Sequence, residues 1–306
     1  MKKRLCLFLI GIICACLLPA HVTADAPEGS TLPEYYFEPY PKQGTITSYW
    51  YKTGEQLKVW TPYDYSENQL YEIVLLLHGD GGSLDSWLTQ KVAVGERKIE
   101  GRNVFDWMAY EKATVPFIVV TLNNKPEELN VMVHDVMDAL VFVSARYSTY
   151  TDGTLDSVME NREHVTVGGL SRGAILTTWI LRNQPEIAGN YLCMSGAGPS
   201  ADARQTLLDR NIRIRKFYTA VGVDDAYFYE LTKRLYTLLQ DRCDDSVYVE
   251  YPYGHSWDVW IPGVREGLTF ILPEYGPDYQ MRMILLRGQK SKAVPLPCLI
   301  RTGNRR

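Results

Sequence analysis

The sequence predicts an α/β fold in which a mostly parallel central sheet, with helices on both faces, follows an N-terminal antiparallel hairpin. Three observations predict it: short apolar runs, helical segments that alternate with them, and two alternating segments near the start. Parallel strands covered on both faces are apolar throughout, whereas strands of an exposed hairpin alternate. The 306 residues are 46% hydrophobic and 22% charged, which is ordinary for a globular domain with a large core.

Each element has its own signal along the chain. The segments TITSYWY and QLKVWT alternate with a period of two around Thr-Gly-Glu and predict the hairpin. Buried strands are predicted at EIVLLL, PFIVVTL and HVTVGG, and further strands at NYLCMSG, IRKFYTAVG and SVYVEYP. Helices are predicted at 131–147, at 172–184, at YFYELTKRLYTLLQ and at VWIPGVREGLTFIL.

The two ends of the chain differ from its centre in composition, and we expect them to lie outside the folded domain. Basic residues before a short apolar run, and a small-x-small site ending at Ala24, predict a signal peptide at 1–24 and a secreted or periplasmic protein. Cys16 leaves lipoprotein anchoring as an alternative. We expect an irregular lead-in at 25–43, one α/β domain at 44–275 and a mobile basic tail at 276–306, and no membrane-spanning segment after signal removal.

The charge is uneven along the chain. Without the signal peptide it has 29 basic and 36 acidic residues, a net charge of −7, yet residues 282–306 carry seven basic residues and no acidic one. The body between is therefore near −14. An acidic body does not favour nucleic acid or an anionic membrane surface as a partner.

Cysteine and histidine patterns exclude common metal sites. Three cysteines lie beyond the signal peptide, at Cys193, Cys243 and Cys298. We expect Cys193 to be a buried free thiol, and a Cys193–Cys243 disulfide stays open. The chain has no HExxH or CxxC pattern, and HGDGG lacks the Gly-Lys-Ser/Thr end of a phosphate-binding loop, so we predict neither a metal nor a cofactor.

The stretch HVTVGGLSRGA, residues 164–174, contains the pattern Gly169-x-Ser171-x-Gly173 between a predicted strand and a predicted helix. A sharp strand-to-helix turn strains its central residue and leaves no room for side chains on its neighbours. The serine oxygen then projects at the carboxyl end of the sheet, beside a helix N-terminus that stabilises negative charge. The pattern predicts a nucleophilic serine at Ser171.

A serine nucleophile needs a base, and four histidines follow the signal peptide. His164 begins the strand that leads to the serine and is too close in sequence to fold back onto it. His134 lies within a predicted helix, and His78 ends a buried strand, where a loop role is expected. His255 follows the last predicted strand in a loop preceded by glycine, so we predict that it is the base.

The acid and the oxyanion donors come from loops after other strands. Asp224 and Asp225 both follow IRKFYTAVG, and residue chemistry alone leaves both open as the triad acid, the other being a helix cap. The backbone N–H of Arg172, next to the serine, is one predicted oxyanion donor. The second is the N–H of Asp80, in the glycine-rich loop at 78–82.

Four motifs together resemble the feruloyl esterase branch of the family 1 carbohydrate esterases, which are esterase D-like α/β-hydrolases. The motifs are LLLHGDGGSLDSW, NREHVTVGGLSRGA, VGVDDAYFYE and YPYGHSWDVW, and the resemblance spans about 44–272. It implies an α/β-hydrolase fold, with Asp225 as the acid of a Gly-x-x-Asp segment and His255 as the base of Gly-His-x-Trp. Arg172 departs from the methionine common in relatives, and the tail has no counterpart.

The resemblance implies hydrolysis of hydroxycinnamoyl or acetyl esters on plant cell-wall polysaccharide or oligosaccharide. The 21 Tyr and 7 Trp residues suit sugar or aryl ligands, and Trp257 and Trp260 are candidates for lining the pocket, with packing as the alternative. Other possibilities are a siderophore esterase, an acyltransferase of the same fold and a non-catalytic carbohydrate-binding protein.

Overall fold

The protein is described here by a computed structural model that covers residues 29, 31–124 and 128–277. The predicted signal peptide, with Cys16 and Ala24, lies outside the described residues, as do Cys298 and all but the first two residues of the predicted tail. No helix in the described ranges has both the length and the apolar character needed to cross a membrane.

The regular elements of the described residues are ten strands and seven α-helices. The strands are β1 (Thr45–Lys52), β2 (Glu55–Thr61), β3 (Glu72–Leu77), β4 (Lys91–Val94), β5 (Arg97–Glu100), β6 (Phe117–Leu122), β7 (Val165–Leu170), β8 (Asn190–Met194), β9 (Ile214–Gly222) and β10 (Cys243–Tyr251). The helices are α1 (Gly101–Glu111), α2 (Leu129–Ser144), α3 (Leu155–Glu160), α4 (Arg172–Asn183), α5 (Ser200–Asp209), α6 (Tyr229–Leu239) and α7 (Trp257–Ile271).

The main sheet has the strand order β1-β2-β6-β3-β7-β8-β9-β10, and β4 pairs with β5 separately. The β1–β2 and β2–β6 pairs are antiparallel, and the other neighbours in the main sheet are parallel. The predicted fold class and the predicted N-terminal hairpin are therefore confirmed.

The register of the parallel strands brings their carboxyl ends to one edge of the sheet. Leu77 of β3 is level with Gly169 of β7, and Gly222 of β9 is level with Tyr251 of β10. The loops that follow these four strands therefore begin at one edge, where parallel sheets form binding sites.

The strand residues divide between two apolar layers. On β3, Ile73, Leu75 and Leu77 belong to the cluster that contains α2, α4 and α6, whereas Val74 and Leu76 belong to the cluster that contains α1 and α7. All six residues of β3 are buried, as predicted for a strand covered on both faces. Helices therefore cover β3 on both faces of the sheet.

Several short elements were not predicted from the sequence. The strands β4 and β5 have four residues each, and Gly95 at their turn has a positive φ of 58°. Helix α3 has six residues, and its N-cap Thr154 accepts a hydrogen bond from the backbone N–H of Ser157 at 3.2 Å. Helices α1 and α5 were also missed, since their apolar residues are interrupted by polar ones.

The lead-in is tied to the domain through side chains. Residues 34–37 form a short 3₁₀ turn, and Tyr36 within it is fully buried. The Tyr36 hydroxyl donates to Glu111 Oε2 at 2.7 Å, and the Trp107 indole N–H donates to the Glu38 carbonyl at 2.8 Å. Tyr36 therefore belongs to the core of the domain.

The two described cysteines are Cys193 and Cys243, and both are buried free thiols. The Cys193 prediction is confirmed, and the disulfide left open by the sequence is not formed. Burial raises the pKa of each thiol to about 12, so neither is a thiolate at neutral pH.

Candidate active site

Ser171 occupies the turn between β7 and α4 in a strained conformation, with φ 52° and ψ −118°. A Cβ added at Gly169 would lie 2.6 Å from the Leu77 carbonyl oxygen, and one added at Gly173 would lie 2.3 Å from the same oxygen. The last carbonyl group of β3 therefore lies so close to the turn that these two positions require glycine. The Ser171 N–H donates to the Met194 carbonyl at 2.8 Å, which fixes the turn to the neighbouring strand.

His255 lies in the loop after β10, with its ring against the serine. Its Nε2 is 3.0 Å from Ser171 Oγ, and its Nδ1 is 2.7 Å from Asp225 Oδ2. Because a carboxylate only accepts hydrogen bonds, Nδ1 carries the proton and Nε2 is left to accept the serine O–H. The imidazole stacks on Phe228 at a centroid distance of 5.1 Å and meets the Trp260 ring edge-on at 4.9 Å, which holds its plane.

Asp225 is buried behind the histidine, with 1% of its surface exposed. Its Oδ1 accepts hydrogen bonds from the backbone N–H groups of Tyr227 at 3.2 Å and Phe228 at 3.0 Å, which leaves Oδ2 for His255. Asp224 is exposed, and its backbone N–H donates to the Tyr253 carbonyl. Of the two candidates for the acid, the structure thus brings Asp225 to the imidazole.

The loop after β3 lies directly beside the serine. A Cβ added at Gly79 would be 2.7 Å from Leu170 Cδ1 and 3.3 Å from Ser171 Cβ, and Gly81 has a positive φ of 69°. Asp80 and Arg172 both line the cavity in front of Ser171. In the described part of the chain, neither of their backbone N–H groups donates to another backbone carbonyl outside the regular elements. Both therefore remain candidates for oxyanion donors.

His78 anchors this loop. The Asn124 backbone N–H donates to His78 Nε2 at 3.0 Å, so the proton is on Nδ1, which donates to the Gly79 carbonyl at 2.7 Å. Burial lowers the pKa of His78 below its usual value, and the ring is neutral at neutral pH. Both ring nitrogens are occupied, which agrees with the loop role predicted for this residue.

The cavity in front of the serine, called here the Ser171 cavity, has a volume of about 440 Å³. Its walls comprise the glycine-rich loop, the triad serine and histidine, and side chains from four further segments: Ser86, Gln90, Leu170, Ile175, Tyr227, Phe228, Trp257 and Trp260. A volume of this size is typical of sites for small organic groups.

The two predicted pocket tryptophans both line the Ser171 cavity and also pack. Trp257 meets Trp87 edge-on at 5.4 Å and Trp260 edge-on at 5.2 Å, so it packs against both rings. Trp260 is 7% exposed, and its indole N–H has no hydrogen-bond partner among the described residues. Tyr227 and Phe228 also line the cavity and were not predicted from the sequence, although their position directly after the triad acid was a usable signal.

The remaining histidines lie away from the serine. His134 is exposed on α2. His164 precedes β7 at the opposite edge of the sheet, where its Nδ1 is 2.9 Å from Glu72 Oε1. Within the described residues, no group of three or more His, Cys, Asp or Glu side chains could hold a metal ion.

Comparison with known proteins finds a similar curated sequence and similar solved structures. No protein-family model matches the chain. The endo-1,4-beta-xylanase Y of Acetivibrio thermocellus is 27% identical over 172 residues, which are 54% of this chain and 15% of that protein. The match therefore covers a small part of a much longer relative.

Two solved structures share most of the fold. The feruloyl esterase module of Clostridium thermocellum, a serine-to-alanine mutant complexed with sinapinate, has a TM-score of 0.71 and 19% identity, with 82% of this chain and 95% of that one covered. A CE1 ferulic acid esterase of the anaerobic fungus Anaeromyces mucronatus has a TM-score of 0.59 and 16% identity, with 80% and 97% covered. The resemblance inferred from the motifs is confirmed at the level of the α/β-hydrolase fold.

Proposed function

We propose that the chain is a serine carboxylic-ester hydrolase that removes hydroxycinnamoyl or acetyl groups from plant cell-wall polysaccharide or oligosaccharide. One observation carries the proposal: Ser171 Oγ, His255 and Asp225 form a continuous hydrogen-bonded chain that opens into the Ser171 cavity. A serine alcohol becomes a nucleophile when such a histidine accepts its proton and a carboxylate orients the ring.

In the first half of the reaction, Ser171 Oγ attacks the ester carbonyl and its proton passes to His255 Nε2. Asp225 holds the imidazole in the required tautomer and stabilises the imidazolium. The backbone N–H groups of Arg172 and Asp80 receive the negative charge that develops on the carbonyl oxygen. His255 then gives its proton to the leaving alcohol, which departs and leaves the acyl group on the serine.

In the second half, water takes the place of the alcohol. His255 accepts a proton from the water, which attacks the acyl-enzyme carbonyl, and the same two N–H groups receive the oxyanion. Collapse of this intermediate releases the carboxylic acid and returns the proton to Ser171. No metal or cofactor takes part in this scheme.

Two observations support a hydroxycinnamoyl group as the acyl part. Trp257, Trp260 and Phe228 give the Ser171 cavity flat apolar walls that suit an aryl ring. The similar clostridial module is described as bound to sinapinate, a hydroxycinnamate, and the similar sequence belongs to a xylanase. A polysaccharide ester substrate, and secretion with cleavage near Ala24, are parts of this proposal.

A hydrolysis panel tests the reaction. We expect the purified protein to release acid from methyl ferulate, acetylated xylan or a short-chain aryl ester, and a fluorophosphonate probe to label Ser171. Ser171→Ala should abolish labelling and lower kcat by about 10⁶-fold. A wild-type protein that neither reacts with the probe nor hydrolyses any ester would favour a non-catalytic carbohydrate-binding role instead.

Product analysis separates hydrolysis from acyl transfer. The two reactions share the acyl-enzyme and differ in whether water or an alcohol enters. Incubation of methyl ferulate with an excess of xylo-oligosaccharide should yield ferulate as the main product. Feruloylated oligosaccharide as the main product would make the protein an acyltransferase.

A further inference from the structure

Arg172 places an incompletely paired cation in the Ser171 cavity. Its Nε is 3.4 Å from Asp80 Oδ1, and this Nε is buried without a hydrogen-bond partner among the described residues. Arg210, by comparison, contacts both oxygens of Glu186 at 2.8 and 3.0 Å. The Arg172 guanidinium is therefore held loosely by a single carboxylate, although a guanidinium can form a bidentate pair.

Asp80 is a weak partner for this cation. Its side chain is 74% exposed, whereas that of Arg172 is 29% exposed. Exposed ion pairs contribute little because water solvates both groups well. A ligand carboxylate that enters the cavity can therefore share the guanidinium or displace Asp80 from it at small cost.

The position of the pair indicates which part of a substrate it meets. Among the lining residues, Trp260 is 7% exposed, whereas the Asp80 side chain is 74% and Tyr227 80% exposed. From this difference we infer that Trp260 lies at the closed side of the cavity and the other two at its mouth. A small acyl group fits among the buried rings, but a saccharide must remain at the mouth because its chain continues into solvent. Arg172, beside Asp80, is thus on the side of the leaving alcohol.

We propose that Arg172 determines specificity by binding a carboxylate on the alcohol part of the ester, such as that of a uronic acid residue. This inference rests on the proposed esterase function. The planar guanidinium fork matches a carboxylate, which an uncharged methionine side chain at the same position cannot do. Asp80 competes with the substrate for the same cation, so the two side chains have opposite effects on the preference for anionic esters.

Chlorogenate and its methyl ester give a matched test. Both carry a caffeoyl group on the same quinate ring, and they differ in whether the quinate carboxylate is charged. Caffeate release is measured for each by chromatography, and the ratio of the two kcat/KM values is compared between proteins. Any loss common to both substrates cancels in this ratio, including a loss of folded protein or of oxyanion stabilisation.

We expect Arg172→Met to lower the chlorogenate-to-methyl-ester ratio by about tenfold, as the loss of a charge-assisted pair predicts. Arg172→Lys should give an intermediate ratio, and Asp80→Asn should raise the ratio above that of the wild type. Salt at about 0.5 M should lower the wild-type ratio and leave that of Arg172→Met unchanged, because screening weakens only the charged contact.

Other results overturn the inference. An unchanged ratio in Arg172→Met, or no turnover of chlorogenate by a protein that hydrolyses methyl ferulate, shows that Arg172 does not bind the carboxylate. An equal loss of kcat/KM for both esters would mean that the guanidinium acts at the reacting carbonyl or holds the glycine-rich loop in place. Failure of the proposed function is distinct, since it appears as no hydrolysis of methyl ferulate and no labelling of Ser171.

Discussion

Two histidine–carboxylate pairs of similar geometry lie at opposite edges of the sheet. The His255–Asp225 pair has an Nδ1–oxygen distance of 2.7 Å, and the His164–Glu72 pair has one of 2.9 Å. The carboxylate side chains are 0% and 3% exposed, respectively. Each imidazole also stacks on an aromatic ring, Phe228 for His255 and Tyr150 for His164. Pair geometry alone therefore does not distinguish a base from a structural residue.

The two pairs differ in what the second ring nitrogen, Nε2, contacts. His255 Nε2 faces the Ser171 hydroxyl at 3.0 Å, whereas His164 Nε2 lies 3.8 Å from Glu163 Oε1. His255 follows the carboxyl end of β10, and His164 precedes the amino end of β7. The loops that form the Ser171 cavity lie at the carboxyl ends of the parallel strands, not at their amino ends. Position in the sheet, more than the histidine–carboxylate pair, gives a histidine its chemical role.

The largest effect should come from removing the imidazole of His255, with His164 as the comparison. His255→Ala removes the base, and we expect kcat for methyl ferulate to fall by about 10⁶-fold. His164→Ala, the matched control at the other edge, should keep kcat/KM within about threefold of the wild type, as expected for a residue that does not touch substrate. Comparable losses in the two variants would contradict the contrast between the pairs.

The next effect concerns the two carboxylates. In Asp225→Asn, the amide oxygen can keep the two backbone hydrogen bonds that Oδ1 accepts, which leaves the amide NH2 group to donate to His255 Nδ1. The imidazole proton then moves to Nε2, and this wrong tautomer should lower kcat by about 10⁴-fold. Glu72→Gln should leave kcat nearly unchanged and lower the free energy of unfolding by about 1–2 kcal/mol, because a buried hydrogen bond is weakened. Steady-state kinetics and urea denaturation measure the two quantities. A catalytic defect in Glu72→Gln would mean that the opposite edges are coupled.

The smallest effect concerns His78 and pH. Burial lowers the pKa of folded His78, so the unfolded chain binds a proton at this residue more readily than the native protein does. The resulting stability is present above the unfolded pKa of about 6.5 and is lost as pH falls toward the folded value, with a slope of at most about 1.4 kcal/mol per pH unit. His78→Gln should therefore lose less stability than the wild type between about pH 7 and pH 5. Parallel urea denaturation series would refute this if both proteins showed the same slope.

The sequence predicted the centre of the fold better than its periphery. The β3, β6 and β7 segments are apolar at nearly every position, and such a pattern is typical of a strand covered on both faces. The β4–β5 hairpin has only four residues in each strand and depends on contacts with α7, including a hydrogen bond from Gly95 N–H to Asp258 Oδ1 at 2.5 Å. Such an element is stabilised by distant residues that its own sequence does not reveal.

By itself, the sequence determined the strand-to-helix turn at Ser171 and the chain order of the serine, acid and base, because glycine requirements and strand ends are local properties. Residue chemistry left Asp224 and Asp225 open and the motif resemblance implied Asp225, whose contact with His255 is seen in the tertiary structure. Only the tertiary structure decided that Trp260 both packs and lines the cavity. It also decided that the Arg172 side chain reaches Asp80. These outcomes depend on distances between segments that are far apart in the chain, and such distances are set by the packing of the whole sheet and its helices.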